Sequence, residues 1–259
     1  MARFKPVSHD DRLSIIDHLD ELRTRIFIAL AAFLVAFGLC LWQNHEILQL
    51  VNDPLPGNRQ PLTLSPAEPF LTTVTVSAYA AILIALPVVL YQVYAFVVPA
   101  FTPTERKVAL PLLLMVPLLF IAGVVFGYFV VLPKAIQFLL NFNSDQFNIQ
   151  IRARDYYGFV SMTLLAMGLV FQVPVGILAL TRLGVTSAAQ LRRNRRGAVV
   201  ISAIVAAVLP GQDPVTMLLI MVPLYGLFEL SILLARLFGT PRSAVEAEPE
   251  ASPEGSSPY

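Results

Sequence analysis

The sequence predicts an all-α membrane protein of six transmembrane helices arranged as a cup, with the fifth and sixth helices short. Two observations carry the class. Apolar residues make up 56% and charged residues 14% of the 259 positions, against about 45–50% and about 25% in soluble domains. The apolar surplus is also gathered into long uncharged blocks rather than spread at helical or strand periods. A third observation, the placing of Lys and Arg between the blocks, sets their number and direction.

The blocks run from Ile26 to Gln43, Pro69 to Pro103, Val108 to Pro133, Tyr156 to Thr181, Gly197 to Gln212 and Pro214 to Phe228. A helix needs about 20 apolar residues to cross about 30 Å of hydrocarbon. The first four meet that, the first by borrowing its flanks. The last two read as about 14 residues each, or about 21 Å at about 1.5 Å per residue, which makes them short spans. About 25 residues precede the first block and no small-x-small site follows Trp42, so it reads as a retained span rather than a cleaved signal peptide. With six spans, fourteen Lys and Arg fall on one side and four on the other. The excess of cations on the cytoplasmic side puts both termini there.

Prolines shape the spans. Pro87 lies mid-block in the second and predicts a kink, because proline removes a backbone donor and its ring crowds the preceding turn. Pro111 and Pro117 predict a bend near the cytoplasmic end of the third, and Pro174 interrupts the fourth. Bent helices of unequal length suggest a bowl with a concave face. The first outer loop holds Pro54, Pro56, Pro61, Pro66 and Pro69 and reads as a stiff, extended connection. Residues 1–238 form the membrane domain. The Pro-, Ser- and Glu-rich segment 239–259 is expected to be a disordered cytoplasmic tail.

The near-neutral balance, net charge +1, excludes a strongly basic nucleic-acid binder. One cysteine excludes an internal disulfide, and His9, His18 and His45 have no metal-ligand spacing, so neither metal nor cofactor is expected. Cys40, inside the first span, reads as a small apolar filler. Trp42, Tyr156 and Tyr157 read as interface aromatics. Glu68, just before the second span, reads from its position alone as a solvated loop charge.

The segment before the first span is an amphipathic helix from Ser8 to Arg25, with Leu13, Ile16, Leu19, Leu22 and Ile26 at spacings of three or four. On its polar side Glu21 and Arg25 are four apart and can pair. Glu229, at the end of the sixth block and near Arg236, is open to two readings: a pathway acid, since intramembrane carboxylates are costly, or a side chain reaching the interface. Gln172, mid-span in the fourth block, needs a hydrogen-bond partner in the protein interior or a watered cavity. Asp213 lies in the tight outer turn between the last two blocks.

Several segments together resemble the TatC family, the multispanning subunit of the twin-arginine protein translocase. Asp17-His18-Leu19-Asp20-Glu21-Leu22-Arg23-Thr24-Arg25 is similar to that family's entry to its first span. Leu86 to Ala100 with Glu105-Arg106-Lys107 is similar to its second span and first cytoplasmic loop. Tyr128 to Pro133, Phe171 to Val175 and Leu191 to Arg196 resemble its third span, its fourth span and the basic loop before its fifth. The resemblance covers roughly residues 10 to 238, in order. It implies six helices in a glove-like cup in a bacterial-type cytoplasmic membrane. It implies a receptor, not an enzyme, for twin-arginine signal peptides of folded cargo exported by the proton-motive force. Single-span TatA- and TatB-type subunits, membrane lipid and further copies in a multi-copy complex are the implied partners. Glu21 and Glu105 match family acids that contact the twin arginines, Arg23 a basic position of the same motif, and Phe96, Pro54, Glu68 and Asp213 other positions used in function. The family often carries Glu where this chain has Gln172, which removes a titrating group from that site.

The rivals are a secondary transporter and an intramembrane enzyme. The two halves show no clear repeat and the blocks no paired charges. GxSxG and HExxH are missing.

Overall fold

The computed structural model describes residues 9–97, 103–182, 185–209 and 213–238, with side chains described for 19–57, 59–96, 114–182, 185–209 and 213–237. Among these residues there are helices and one isolated bridge, with no strand. The tail 239–259, and with it the expected domain boundary, lies outside the described residues.

Helix α1, His9–Trp42, joins the expected amphipathic segment and the first span into one rod. Five stretches are long and apolar enough to cross a membrane: Leu19–Trp42, Glu68–Phe96, Leu114–Asn141, Ala153–Arg182 and Pro214–Leu237. The stretch expected as the fifth span is the 14-residue helix Arg195–Val208, about 21 Å long, so it does not reach that length. The stretch expected as the sixth is not short. It forms a helix of 25 residues, Pro214–Phe238, and continues through Glu229.

After α1 comes α2, Asn44–Asn52, so the start of the loop expected to lie outside is a helix. Only the part from Asp53 onward, where the prolines begin, is turn and irregular chain. A single 3-10 turn there, Pro56–Asn58, uses Gly57 at φ 78°, a left-handed value that suits glycine. Two tyrosines satisfy the carbonyls that the last turn of α2 leaves open. Tyr128 donates to Leu50 O at 2.8 Å and Tyr156 to Val51 O at 2.8 Å. Tyr156 and Tyr157 are buried in a core beside Val51, Leu55, Leu132, Ile136 and Val160. They anchor the loop rather than standing at the lipid interface.

Helix α3, Glu68–Val97, stays one helix with Pro87 inside it. Helix α4 is Pro103–Phe126, and the expected bend at Pro111 and Pro117 is not a break. The irregularity comes later, as a π-helical turn over Gly127–Val131 that leads into α5, Leu132–Asn141. The cause is Pro133, which has no N–H to close the preceding turn. The fourth span is α6, Ala153–Val170, and α7, Val173–Arg182, separated at Phe171–Gln172. Pro174 has the same effect there. A six-residue helix, α8 (Ala188–Arg193), opens with a Ser187–Gln190 capping box. It precedes α9 (Arg195–Val208) and α10 (Pro214–Phe238).

The packing is open. Helix α1 lies along α3, α3 on α4 and α6, α4 on α6, and α10 on α7 and α9. The α6–α7 span is central: 56% of its most apolar stretch is buried, against 11% for α1. Helices α4 and α6 cross closely at glycines. A Cβ on Gly168 would lie 2.5 Å from the Phe120 ring, and one on Gly123 would lie 2.6 Å from Met167 O. Cys40 is buried with Ala36 and Ala81, as the filler reading expects.

Candidate functional site: a charged mouth and a locked loop

At one end, α1 meets the C-terminal turn of α3 through Arg25. Its Nε donates to Glu21 Oε1 at 3.0 Å, and its Nη2 reaches the same oxygen. Arg25 Nη1 donates to Gln92 Oε1 at 3.0 Å, and Nη2 to Ala95 O at 3.3 Å. A guanidinium suits this place. The last carbonyls of a helix lack amide partners and carry the negative end of its dipole. Arg25 therefore fixes Glu21 beside the end of α3, where half-buried Phe96 sits. The sequence spacing gave the Glu21–Arg25 pair but not Gln92, 67 residues away.

The carboxylate stays accessible, with the Glu21 side chain 36% exposed and that of Arg25 21%. Arg23 is exposed and lies over the Phe27 ring, 5.7 Å from its centroid. Glu105 falls in the first turn of α4, but its side chain lies outside the described residues.

At the same end, the acid within α10 has partners. Glu229 Oε2 accepts from Arg195 Nη2 at 2.6 Å, and Oε1 from Tyr225 OH at 3.0 Å. The ion pair ties the start of α9 to α10 and removes much of the cost of a carboxylate in an apolar helix. Of the two readings, the side chain at the interface fits this geometry.

Glu68, at the opposite end, is not a solvated charge. It is 5% exposed. Its carboxylate accepts from Arg152 Nε at 2.9 Å and Nη2 at 3.4 Å, from Leu64 N at 2.9 Å and from Arg154 N at 3.4 Å. The bond to Glu68 raises Arg152 further above the ordinary arginine range. Leu62 completes the lock: its N–H donates to Ile151 O and its carbonyl accepts from Ala153 N, each at 2.7 Å. The second contact satisfies the first amide of α6, an orphan donor by position. Pro54, half-buried, stands in the turn that follows α2.

Asp213 begins α10. Its Oδ1 accepts from Thr216 N at 2.8 Å, the bond of an N-cap. Residues 210–212, where the tight turn is expected, lie outside the described residues. Gln172 sits at the break between α6 and α7, 9% exposed. Its Nε2 donates to Val116 O at 3.2 Å, while its Oε1 has no partner among the described residues. The structure thus gathers Glu21, Arg23 and Phe96 at one end and Pro54, Glu68 and Asp213 at the other, with Gln172 between. Gln92, Arg152, Arg195 and Tyr225 are the members that position alone did not single out. Among the described residues no cluster of His, Cys, Asp and Glu could hold a metal ion.

These features define a polytopic α-helical membrane protein with a charged mouth at one end and a stapled loop at the other. A family profile described as Sec-independent protein translocase protein (TatC) matches residues 17–223, and the chain belongs to that family. It is 35% identical over 232 residues to the Sec-independent protein translocase protein TatC of Deinococcus radiodurans, covering 86% of each chain. It is 34% identical to that of Escherichia coli, covering 90% of this chain and 92% of the relative. A crystal structure described as the twin arginine translocase receptor TatC in DDM superposes with a TM-score of 0.75 at 34% identity, covering 84% of this chain and 99% of the other.

Proposed function

We propose that the chain is the signal-peptide receptor and core subunit of a translocase that exports folded proteins across a bacterial-type cytoplasmic membrane. Glu21 and Glu105 grip the two arginines of the signal peptide. The observation that carries this reading is Glu21, a partly exposed carboxylate held by Arg25 at the end of α3 beside Phe96. Two guanidinium forks find their best partners in carboxylates, and the backbone puts Glu105 in the first turn of α4. Arg23 borders the site and repels a misplaced cation. The apolar part of the peptide lies along the second and third spans. Both termini are cytoplasmic, and single-span Tat subunits, in a multi-copy complex, are the partners that complete the pore.

Binding of a synthetic signal peptide to the purified complex tests the reading. The Glu21→Gln, Glu105→Gln double variant is expected to lose discrimination between Arg-Arg and Lys-Lys peptides. If it discriminates as the parent does, the two acids are not the receptor site.

A further inference from the structure

The outer ends of α3 and α6 enclose a groove of about 460 Å³, within the size range of small-ligand sites. One wall is Leu71, Thr75 and Tyr79 of α3, and the other includes Tyr157 and Gly158 of α6. Leu71 is 59% exposed, so the groove opens sideways onto the surface that faces hydrocarbon. At Gly158 an added Cβ would meet nothing within 4 Å, which leaves a slot along the α6 wall.

The rim carries Glu68, Arg152 and Arg154. Glu68 is saturated by Arg152 and two amides, so that pair is neutral. The guanidinium of Arg154 is exposed and has no partner among the described residues. Arg154 also borders the neighbouring cavity that Asp155 and Asp213 line, but neither carboxylate forms an ion pair with it. The groove therefore has at its mouth one cation without an ion-pair partner among the described residues, above walls that are mainly apolar, one residue into a transmembrane helix. That is the depth of lipid phosphates, and an exposed arginine there binds a phosphate through its fork.

We infer that this groove holds one anionic phospholipid of the outer leaflet, its phosphate on Arg154 and an acyl chain in the slot between Gly158, Leu71 and Tyr79. A free phosphate ion would leave the apolar walls without a use. The occupant also covers the seam between the second and fourth spans beside the Glu68–Arg152 lock. The inference does not depend on the signal-peptide reading.

The test is native mass spectrometry of the full chain, purified in detergent and supplied with phosphatidylglycerol or phosphatidylcholine of the same acyl chains. The parent is expected to retain one phosphatidylglycerol in preference to phosphatidylcholine. Arg154→Gln is expected to cut that preference about tenfold or more, as loss of one charge-assisted contact does. Gly158→Leu, which fills the slot, is expected to reduce retention of both lipids, while Val200→Leu on the exposed face of α9 leaves both unchanged. A phosphatidylglycerol carrying a photoreactive acyl chain gives a reading in the parent fold: labelling is expected in the 71–79 segment. Unchanged selectivity in Arg154→Gln, labelling spread evenly over all spans, or displacement of the lipid by inorganic phosphate alone overturns the assignment.

Discussion

Replacing Glu21 by Gln separates a receptor acid from a structural one, because the structure says what each role costs. Glu21 already has an arginine, Arg25, at 3.0 Å. An incoming peptide arginine must share or displace that contact. The existing pair is four residues apart on one helix, with side chains 21% and 36% exposed. Such pairs are worth up to about 1 kcal/mol. Arg25 also keeps its bonds to Gln92 Oε1 and Ala95 O when Glu21 turns away. The new contact, a guanidinium on a carboxylate, contributes about 1.5–3 kcal/mol. The net gain is about 1–2 kcal/mol, and at a factor of ten per about 1.4 kcal/mol the loss in Glu21→Gln is about fivefold to thirtyfold in Kd. Stability is expected to fall by no more than about 1 kcal/mol. Fluorescence anisotropy of a labelled signal peptide, with a thermal melt of the same preparation, reads both quantities. A Kd within twofold of the parent, or a stability loss above about 2 kcal/mol with Arg25→Gln equally damaging, refutes the reasoning and makes Glu21 a helix staple.

Gly123→Ala is expected to destabilise by about 1–3 kcal/mol, since its Cβ would lie 2.6 Å from the carbonyl of Met167; an unchanged melting temperature in detergent would show that α4 and α6 can part freely. Arg152→Gln leaves Glu68 buried without its cation, and the expected outcome is a lower melting temperature with proteolysis in 59–67, both relieved when Glu68→Gln is added. In a Cys40→Ala background, a cysteine replacing Ser65 is expected to label from outside intact cells and one replacing Ala189 only after permeabilisation; the reverse pattern inverts the proposed topology. Four leucines added to α9, which spans about 21 Å against about 30 Å of hydrocarbon, are expected to impair export without loss of folding, and unchanged export would count against local bilayer thinning there.

Much of the fold was legible because hydrocarbon imposes one strong rule, that spanning backbone must satisfy its own hydrogen bonds. The blocks, the short α9 and the break before Pro174 follow from it. The errors share a cause, which is pairing across sequence. Glu229 looked like the end of a span because its cation, Arg195, is 34 residues earlier. Once neutralised, it lets α10 run on to Phe238. Glu68 looked solvated because its partner lies 84 residues on. Tyr156 and Tyr157 looked like interface aromatics because the carbonyl that Tyr156 caps belongs to α2, 105 residues away. Proline gave positions but not consequences. Pro87, Pro111 and Pro117 sit inside continuous helices, while Pro133 and Pro174 accompany a π turn and a break. At the mouth, Glu21 and Arg25 were visible as a pair four apart, and Gln92 carried no local signal.

Gln172 supplies the sharpest contrast between stability and function. Its Nε2 donates to Val116 O at 3.2 Å, but that carbonyl lies inside α4 and already has an amide of its own helix as donor. Losing Gln172 therefore leaves no helix carbonyl unsatisfied. Its Oε1 is buried with no partner among the described residues, a condition that costs about 1–3 kcal/mol. The surroundings are apolar, since neighbouring Val170 and Phe171 pack with Leu224 and Leu227 of α10. Replacing Gln172 with Met, close in volume and without the amide, is thus expected to leave stability unchanged or raise it by up to about 2 kcal/mol. If the amide serves only packing, export follows stability and stays intact. If a polar group at the break of the fourth span is needed in transport, export falls while the melting temperature holds or rises, the trade-off expected where function keeps a locally unfavourable residue. Parallel melts and an export assay on Gln172→Met decide between them. A melting temperature that drops together with export would show that the single bond to Val116 supports the α4–α7 contact, and would remove Gln172 from the functional set.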